Sequence, residues 1–151
     1  MIKLITTGKI KEKYLKEAIS EYTKRLSKYT KLEIIELNDY DFDSKNIVLE
    51  KEKEQILKHI SDKDYIVTLE IEGKQFSSTE FAEKINNIFI NNSNITFIIG
   101  GSYGLHDDIK KKSNLALSFS KFTFPHQLFR VILLEQIYRA FKIIKNESYH
   151  K

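Results

Sequence analysis

The amino-acid sequence predicts an α/β fold in which a mostly parallel sheet of five to six strands lies between helices. Short apolar runs of strand length alternate with longer amphipathic segments along the whole chain, as in repeated β-α units. The run Ile95–Ile99 is continuously apolar, which is typical of a strand buried on both faces of a parallel sheet. The 151 residues contain no low-complexity linker and no internal repeat, so one domain over residues 1–151 is expected.

Five strands are predicted from apolar runs that end near glycine or polar residues. They are Ile2–Thr6, Leu32–Leu37, Tyr65–Ile71, Ile95–Ile99 and Leu115–Phe119. Gly8 follows the first strand and Gly73 closes the third. Since ligands bind beyond the carboxyl ends of parallel strands, residues 68–73, 98–104 and 118–127 are the candidate ligand segments.

Five helices are predicted from apolar residues at helical spacing. They are Lys11–Tyr29, Ile47–Ile60, Ser77–Ile90, Leu105–Lys112 and Gln127–Lys145. Ser77 and Glu80 have the spacing of a capping box, which supports the start of the third helix. Residues 38–45 are predicted to form an acidic loop.

Composition excludes several classes of site. The chain has no cysteine, which removes disulfides, thiol nucleophiles and thiolate metal ligands, and its four histidines lack paired ligand spacing, so no metal site is expected. The first apolar run is too short for a signal peptide, and no stretch is long enough to span a membrane. A cytoplasmic protein is therefore expected.

Charge is distributed unevenly along the chain. Residues 1–31 carry nine basic and three acidic side chains, residues 109–151 carry nine and two, and the middle of the chain carries seven and sixteen. If the two ends meet in space, they form a basic face suited to a polyanion. A lysine-rich solvated surface without a partner explains the same numbers equally well.

Two loops stand out as ligand candidates. The sequence IIGGSYG places Gly100, Gly101 and Gly104 directly after the central strand, where glycine permits close backbone approach to a ligand. Taken alone, these glycines are better explained by a tight strand-to-helix turn, and the segment is neither a dinucleotide fingerprint nor a phosphate loop. The apolar sequence SFSKFTFPHQ contains the only proline, Pro125, which suits a helix start. It suggests a buried loop whose backbone groups need partners, such as the adenine edge of a ligand, although a fifth strand and its turn explain the same residues.

The last predicted helix is apolar on almost every side, which predicts a second packing partner and favours a homodimer. Arg130 lies inside this apolar run, where a charge is costly unless it is paired or functional. Glu135 and Arg139 are four residues apart, as in an ordinary pair on a helix surface. The terminal Tyr149 and His150 are expected to fray, although a mobile end carrying these side chains could close over a bound substrate.

Several segments, in this order, resemble the ribosomal large subunit methyltransferase H family of the SPOUT superfamily. They are GKIKEKY, TLEIEGK, FIIGGSYGLH, LALSFSKFTFPHQLFRVILLEQIYRAFKI and the terminal YHK. The resemblance covers essentially the whole chain and is weakest over residues 38–55. It implies methylation of N3 of a pseudouridine in large-subunit (23S) ribosomal RNA, with S-adenosylmethionine as the methyl donor.

The resemblance also implies a fold and a site. The fold would be a SPOUT-type α/β knot, with a deep trefoil knot within about residues 95–145, in a homodimer. Cofactor contacts would fall on Leu69, Gly100 and the run Phe119, Ser120, Lys121, Phe122, Thr123 and Phe124, with Gly101 and Gly104 shaping the same site. His126, Arg130, Tyr149 and His150 would face the RNA and the reacting base.

Pseudouridine N3 carries a hydrogen, so a proton must leave during direct methyl transfer. His150 is a candidate base, since histidine titrates near neutral pH, and water is an alternative acceptor. Arg130 would orient a phosphate or the base carbonyls. Two other functions remain open at this point: a non-catalytic ribosome-associated RNA-binding protein, and a Rossmann-type nucleotide-binding enzyme.

Overall fold

The computed structural model describes residues 1–151 and contains five strands and five helices in alternation. The strands are β1 (Ile2–Thr7), β2 (Leu32–Leu37), β3 (Asp64–Gln75), β4 (Asn94–Ile99) and β5 (Leu115–Ser118). The helices are α1 (Lys13–Leu26), α2 (Lys45–Leu57), α3 (Ser78–Asn91), α4 (Asp107–Lys112) and α5 (His126–Ile144). The predicted α/β class and the order of its elements are confirmed.

The five strands form one sheet in the order β2-β1-β4-β3-β5, and every neighbouring pair is parallel. The central position of β4 agrees with its continuous apolar sequence, because such a strand is covered on both faces. Since all strands run in one direction, the loops that follow β3, β4 and β5 meet at one edge of the sheet. This edge is where the ligand segments were predicted.

Alternating side chains divide the core into two layers. On one face, Phe97 and Val67 pack with α1, α3 and α5, whereas on the other face Ile98 and Ile66 pack with α2 and α4. The predicted capping box is present at the start of α3: Ser77 Oγ accepts the Glu80 N–H at 3.1 Å, and Glu80 Oε1 accepts the Ser77 N–H at 3.0 Å. None of the five helices combines the length and hydropathy that a membrane-spanning helix requires.

β3 is longer than predicted, and Gly73 lies inside it. Leu117 of β5 pairs first with Leu69 and then with Lys74, so residues 70–73 bulge out between the two pairings. A Cβ atom at Gly73 would lie 2.6 Å from the carbonyl oxygen of Ala116, so the chain can return to β5 only with glycine there. The glycine marks a close backbone approach and not, as predicted, the end of the strand.

Helix ends also differ from prediction where side chains capture backbone groups. α1 begins at Lys13 and not at Lys11, because the preceding loop is extended and the Ile10 N–H donates to Glu36 Oε2 at 2.9 Å. α4 begins at Asp107, since the His106 side chain caps it by accepting the Asp108 N–H at 2.9 Å. The first contact joins residues that are distant in sequence, and the second depends on the orientation of the His106 ring. The spacing of apolar residues indicates neither of them.

α5 finds most of its packing partners within the chain. It lies against the sheet and contacts both α1 and α3, which cover the apolar residues on several of its sides. α1 and α3 therefore supply much of the additional packing that the apolar residues of α5 require, and the homodimer stays a prediction. Because α1 packs on α5, the two basic ends of the chain do meet in space; for example, Lys28 and Lys142 both contact Glu147.

Candidate active site

A cleft of about 550 Å³ lies at the carboxyl edge of the sheet. Its walls come from the end of β3, the turn after β4, the loop between β5 and α5, and the start of α5. Nine of the ten residues predicted to contact a cofactor line it: Leu69, Gly100, Gly101, Gly104, Phe119, Ser120, Phe122, Thr123 and Phe124. Lys121 does not line the cleft and is exposed. Three segments that are far apart in sequence thus converge on one cavity.

The glycine turn after β4 is formed by close backbone contacts. A Cβ atom at Gly100 would lie 2.5 Å from the carbonyl oxygen of Gly104. The Gly104 N–H donates to the Gly101 carbonyl at 3.0 Å, and Gly104 has a positive φ of 76°. The tight-turn explanation of these glycines is therefore correct, and the same turn also forms a wall of the cleft. The two explanations are compatible.

The loop between β5 and α5 is anchored by aromatic contacts. Phe119 packs edge-on against Phe129 with ring centroids 5.1 Å apart, and Phe124 stacks on Phe129 at 5.6 Å. Contrary to prediction, the loop is not buried: residues 121–123 are exposed, and the Phe122 side chain is 79% exposed beside the cleft. Among the N–H groups of residues 120–124, only that of Phe122 has an acceptor in the chain, the Ser120 Oγ atom at 3.0 Å.

The β3 bulge supplies an acidic wall of the cleft: residues 68–73 were predicted as a ligand segment, but their acidic side chains were not singled out. Glu70, Ile71 and Glu72 all line the cleft. Glu70 accepts a hydrogen bond from Thr68 Oγ1 at 2.6 Å and lies 3.9 Å from the Lys110 ammonium. The available signal was the alternation of acidic and apolar residues before Gly73 in TLEIEG. A register change in the sheet, which sequence periodicity does not show, turns these residues towards the cleft.

Arg130 lies outside the cleft and is only 2% exposed. Its guanidinium donates to Glu36 Oε2 at 2.8 Å, to the Thr7 carbonyl at 2.7 Å and to the Gly8 carbonyl at 2.9 Å. Burial lowers the pKa of Arg130, and the Glu36 carboxylate opposes this effect. The expected contact with an RNA phosphate or base is therefore not supported: Arg130 joins α5 to the ends of β1 and β2.

The C-terminal tail is docked on α5 and is not frayed, contrary to prediction. Tyr149 packs edge-on against Tyr138 with ring centroids 5.0 Å apart, and its hydroxyl donates to Glu135 Oε1 at 3.1 Å. Burial, and then the bond to Glu135, raise the pKa of Tyr149 to about 12. The Arg139 guanidinium lies 4.8 Å from the Tyr149 ring centroid, and its Nη1 donates to Nδ1 of His150 at 3.1 Å.

The docked tail does not reach the cleft of its own chain. Among the residues predicted to face the RNA, only His126 lines the cleft, at the first residue of α5. Arg139, which holds the tail, lies thirteen residues further along the same helix, or about 20 Å at 1.5 Å per residue. Tyr149 and His150 are therefore placed together, but apart from His126 and the cavity.

Comparison with known proteins gives consistent matches over the whole chain. Residues 1–150 match the family model described as predicted SPOUT methyltransferase. Proteins named ribosomal RNA large subunit methyltransferase H are similar to it: 54% identical in Clostridium acetobutylicum and 52% in Streptococcus suis, each over 99% of both chains. The relative of that name in Caldicellulosiruptor saccharolyticus is 53% identical over all of both chains.

A solved structure, that of a probable methylase family protein from Haemophilus influenzae, is also similar. The TM-score is 0.55 at 14% identity, over 99% of this chain and 70% of that one. At this identity the likeness concerns the fold alone.

Proposed function

Because the chain belongs to the SPOUT methyltransferase family, among the ribosomal RNA large subunit methyltransferases H, we propose that it transfers a methyl group from S-adenosylmethionine to N3 of a pseudouridine in large-subunit (23S) ribosomal RNA. Family membership identifies the chain as a ribosomal RNA methyltransferase. It therefore excludes the two alternatives that the sequence left open, a non-catalytic RNA binder and a Rossmann-type enzyme.

The observation that carries the proposal is the convergence of the predicted cofactor segments on one cleft. The residues present fit a nucleoside ligand. The cleft combines apolar and aromatic walls with loop N–H groups that have no acceptor in the chain, which suits an adenine edge. Because residue 100 is glycine, no side chain lies between its backbone and the carbonyl of Gly104, which approach each other closely in the turn. The cofactor supplies a methyl group on a sulfonium, which is a strong electrophile.

The protein's own contribution is then to position the base, exclude water and remove one proton from N3. In the docked tail, arginine can only donate, so Nδ1 of His150 accepts from Arg139 and a neutral His150 ring carries its hydrogen on Nε2. His150 in this position can donate a hydrogen bond to a base carbonyl, but it has no free nitrogen lone pair for the N3 proton. It can act as the base only after it separates from Arg139; otherwise water is the acceptor.

We propose that the enzyme works as a homodimer and that the tail of one subunit completes the cleft of the other. The separation of the tail from the cleft within one chain supports this arrangement. Large apolar side chains are exposed around the cleft, among them Phe122, Ile71 and Leu128, and a second subunit would cover them. A mixture of two inactive proteins tests the arrangement: one with Gly100→Val, which blocks the cleft, and one lacking residues 149–151.

If the tail acts across the dimer, mixed dimers regain one working site, with an intact cleft in the truncated subunit and an intact tail in the other. Absence of recovery, when mass spectrometry confirms that mixed dimers have formed, would contradict the proposal. Sedimentation of the wild-type protein at micromolar concentration provides the control, and we expect it to show a dimer without detectable monomer.

The RNA would lie against the basic face formed by α1 and α5. Exposed lysines such as Lys13, Lys16, Lys24 and Lys145 occupy these two helices and their ends. Such a face binds the phosphate backbone without sequence preference, so the choice of base must come from the cleft and the tail. We also propose a single domain over residues 1–151, a trefoil knot within about residues 95–145, and a cytoplasmic location, where the ribosomal substrate is found.

Methyl transfer to ribosomes tests the function directly. Purified protein and labelled S-adenosylmethionine are incubated with ribosomes from cells that lack the methylation, and the modified nucleotide is identified by mass spectrometry. The matched control is ribosomes in which uridine replaces the pseudouridine. We expect one methyl group per ribosome on N3 of a pseudouridine, and equal methylation of the control ribosomes would overturn the assignment of the base. Calorimetry should detect binding of S-adenosylmethionine but not of NAD or ATP.

A further inference from the structure

Glu52 is a buried acidic residue that no step of the proposed reaction uses. It lies on the inner face of α2, where residues at intervals of four, Val48, Glu52 and Ile56, are all at most 5% exposed. The other two are apolar and pack towards the sheet, as expected for this spacing. A glutamate in the middle of such a stripe is costly, because burial removes the carboxylate from water.

The Glu52 carboxylate has no positively charged partner to offset this cost. Its neighbour on the helix, Glu50, is paired with the Lys53 ammonium and hydrogen-bonded to the His106 ring, each at 2.8 Å, so both of these groups are already engaged. Burial raises the pKa of Glu52, and the negative charge of Asp39 acts in the same direction. A smaller, opposite effect comes from the backbone N–H of Gly101.

The nearest partner of the carboxylate is therefore the glycine turn of the cleft. A Cβ atom at Gly101 would lie 2.8 Å from Glu52 Oε1, so the carboxylate occupies the space that a side chain would fill. Gly101 forms the first corner of the turn, where its carbonyl accepts the Gly104 N–H. One side of this turn faces the cleft, and the Glu52 carboxylate supports it from within the protein.

We propose that Glu52 is a positioning residue that holds the Gly101 corner of this turn and thereby sets the affinity of the cleft for S-adenosylmethionine. The inference rests on the proposed function, since it concerns the affinity for that cofactor. Glu52 acts through the backbone of the turn and does not touch the ligand. Two requirements follow: an acceptor oxygen at position 52 and a glycine at position 101.

The test measures the dissociation constant for S-adenosylmethionine by calorimetry, together with the thermal unfolding temperature, in four variants of the full chain. Glu52→Ala removes the acceptor, Glu52→Leu removes it but fills the space, Glu52→Gln keeps an acceptor oxygen without the charge, and Glu54→Ala is the control on the exposed side of α2. We expect Glu52→Ala and Glu52→Leu to weaken binding about fivefold or more, as for the loss of one hydrogen bond.

Glu52→Gln should bind within about twofold of wild type, which a purely charge-based effect would not allow. The unfolding temperature of Glu52→Leu should equal or exceed that of wild type, because an unpaired buried charge is removed. In methylation assays the KM for the cofactor should rise while the KM for ribosomes stays constant. Wild-type affinity in both the Ala and Leu variants, or equal losses in Gln and Ala, would overturn the inference. Failure of the wild type itself to bind the cofactor would instead overturn the proposed function.

Discussion

Replacement of Arg130 separates a structural role from an RNA-binding role. In Arg130→Met, the carbonyls of Thr7 and Gly8 lose the guanidinium donor, and Glu36 Oε2 loses its cation but keeps the hydrogen bond from the Ile10 N–H. Breaking a buried ion pair from one side costs about 3–5 kcal/mol. The lower end applies here, because the Glu36 side chain is 36% exposed and can be hydrated, and Arg130 Nε already lacks an acceptor.

A loss of about 3 kcal/mol lowers the unfolding temperature of a protein of this size by roughly 6–12 °C. Circular dichroism at a fixed protein concentration measures this shift, and Lys145→Ala, an exposed cation at the end of the same helix, is the matched control. Arg130→Lys should lie in between, since one ammonium cannot satisfy all three acceptors in the same geometry. An unchanged unfolding temperature in Arg130→Met, combined with weaker binding to ribosomes, would refute the structural role and restore the RNA contact.

Three further predictions concern the cleft, the tail and the effect of pH. Gly100→Val should abolish binding of S-adenosylmethionine in a folded protein, because a side chain there meets the Gly104 carbonyl at 2.5 Å; calorimetry with undiminished affinity would place the ligand elsewhere. Deletion of residues 149–151 should lower the unfolding temperature by only a few degrees, because about 1–2 kcal/mol of packing is lost, and should leave the cofactor affinity unchanged. The rate of single-turnover methylation should nevertheless fall by orders of magnitude. Full activity of the truncated protein would exclude the tail from the site. Hydrogen bonds from Lys142 and then Tyr29 lower the pKa of Glu147 to about 2 from an ordinary 4.5. The Glu147 carboxylate therefore stabilises the fold above about pH 4.5 and loses this effect as the pH falls towards 2. The difference in unfolding temperature between wild type and Glu147→Gln should shrink over that range, and a constant difference would contradict the pairing.

The features that could be predicted are those that depend on the spacing of residues close together in the sequence. Alternation of apolar runs with amphipathic segments predicted all ten elements, and the Ser77 and Glu80 spacing predicted the cap of α3. Resemblance to a known family predicted nine of the residues that line the cleft. These features depend on residues that are close in sequence or on long motifs.

The features that the sequence missed depend on contacts between distant segments. The β3 bulge exists because Leu117, which pairs with Leu69, pairs a second time with Lys74. Nothing in the spacing of TLEIEG indicates this second pairing. The family resemblance implied that Arg130 faces the RNA, and its place in an apolar run left pairing or a function open; the acceptors that pair with it lie more than 90 residues away along the chain. The tail was expected to fray, since three residues alone carry no sign of their contacts with Tyr138 and Glu135.

The sheet order has a consequence for synthesis of the chain on the ribosome. β1 lies between β2 and β4, so Ile2 finds its partner Ile95 only after more than half of the chain has been made. β3 has no neighbour until β4 emerges and gains its second neighbour only with β5, and the loop that completes the cleft follows β5. Pairings between such distant segments form slowly, and the unfinished chain exposes apolar strand edges. The nascent chain therefore completes the cleft only with the last fifth of its sequence, together with α5, which supplies six of the buried residues of the main core.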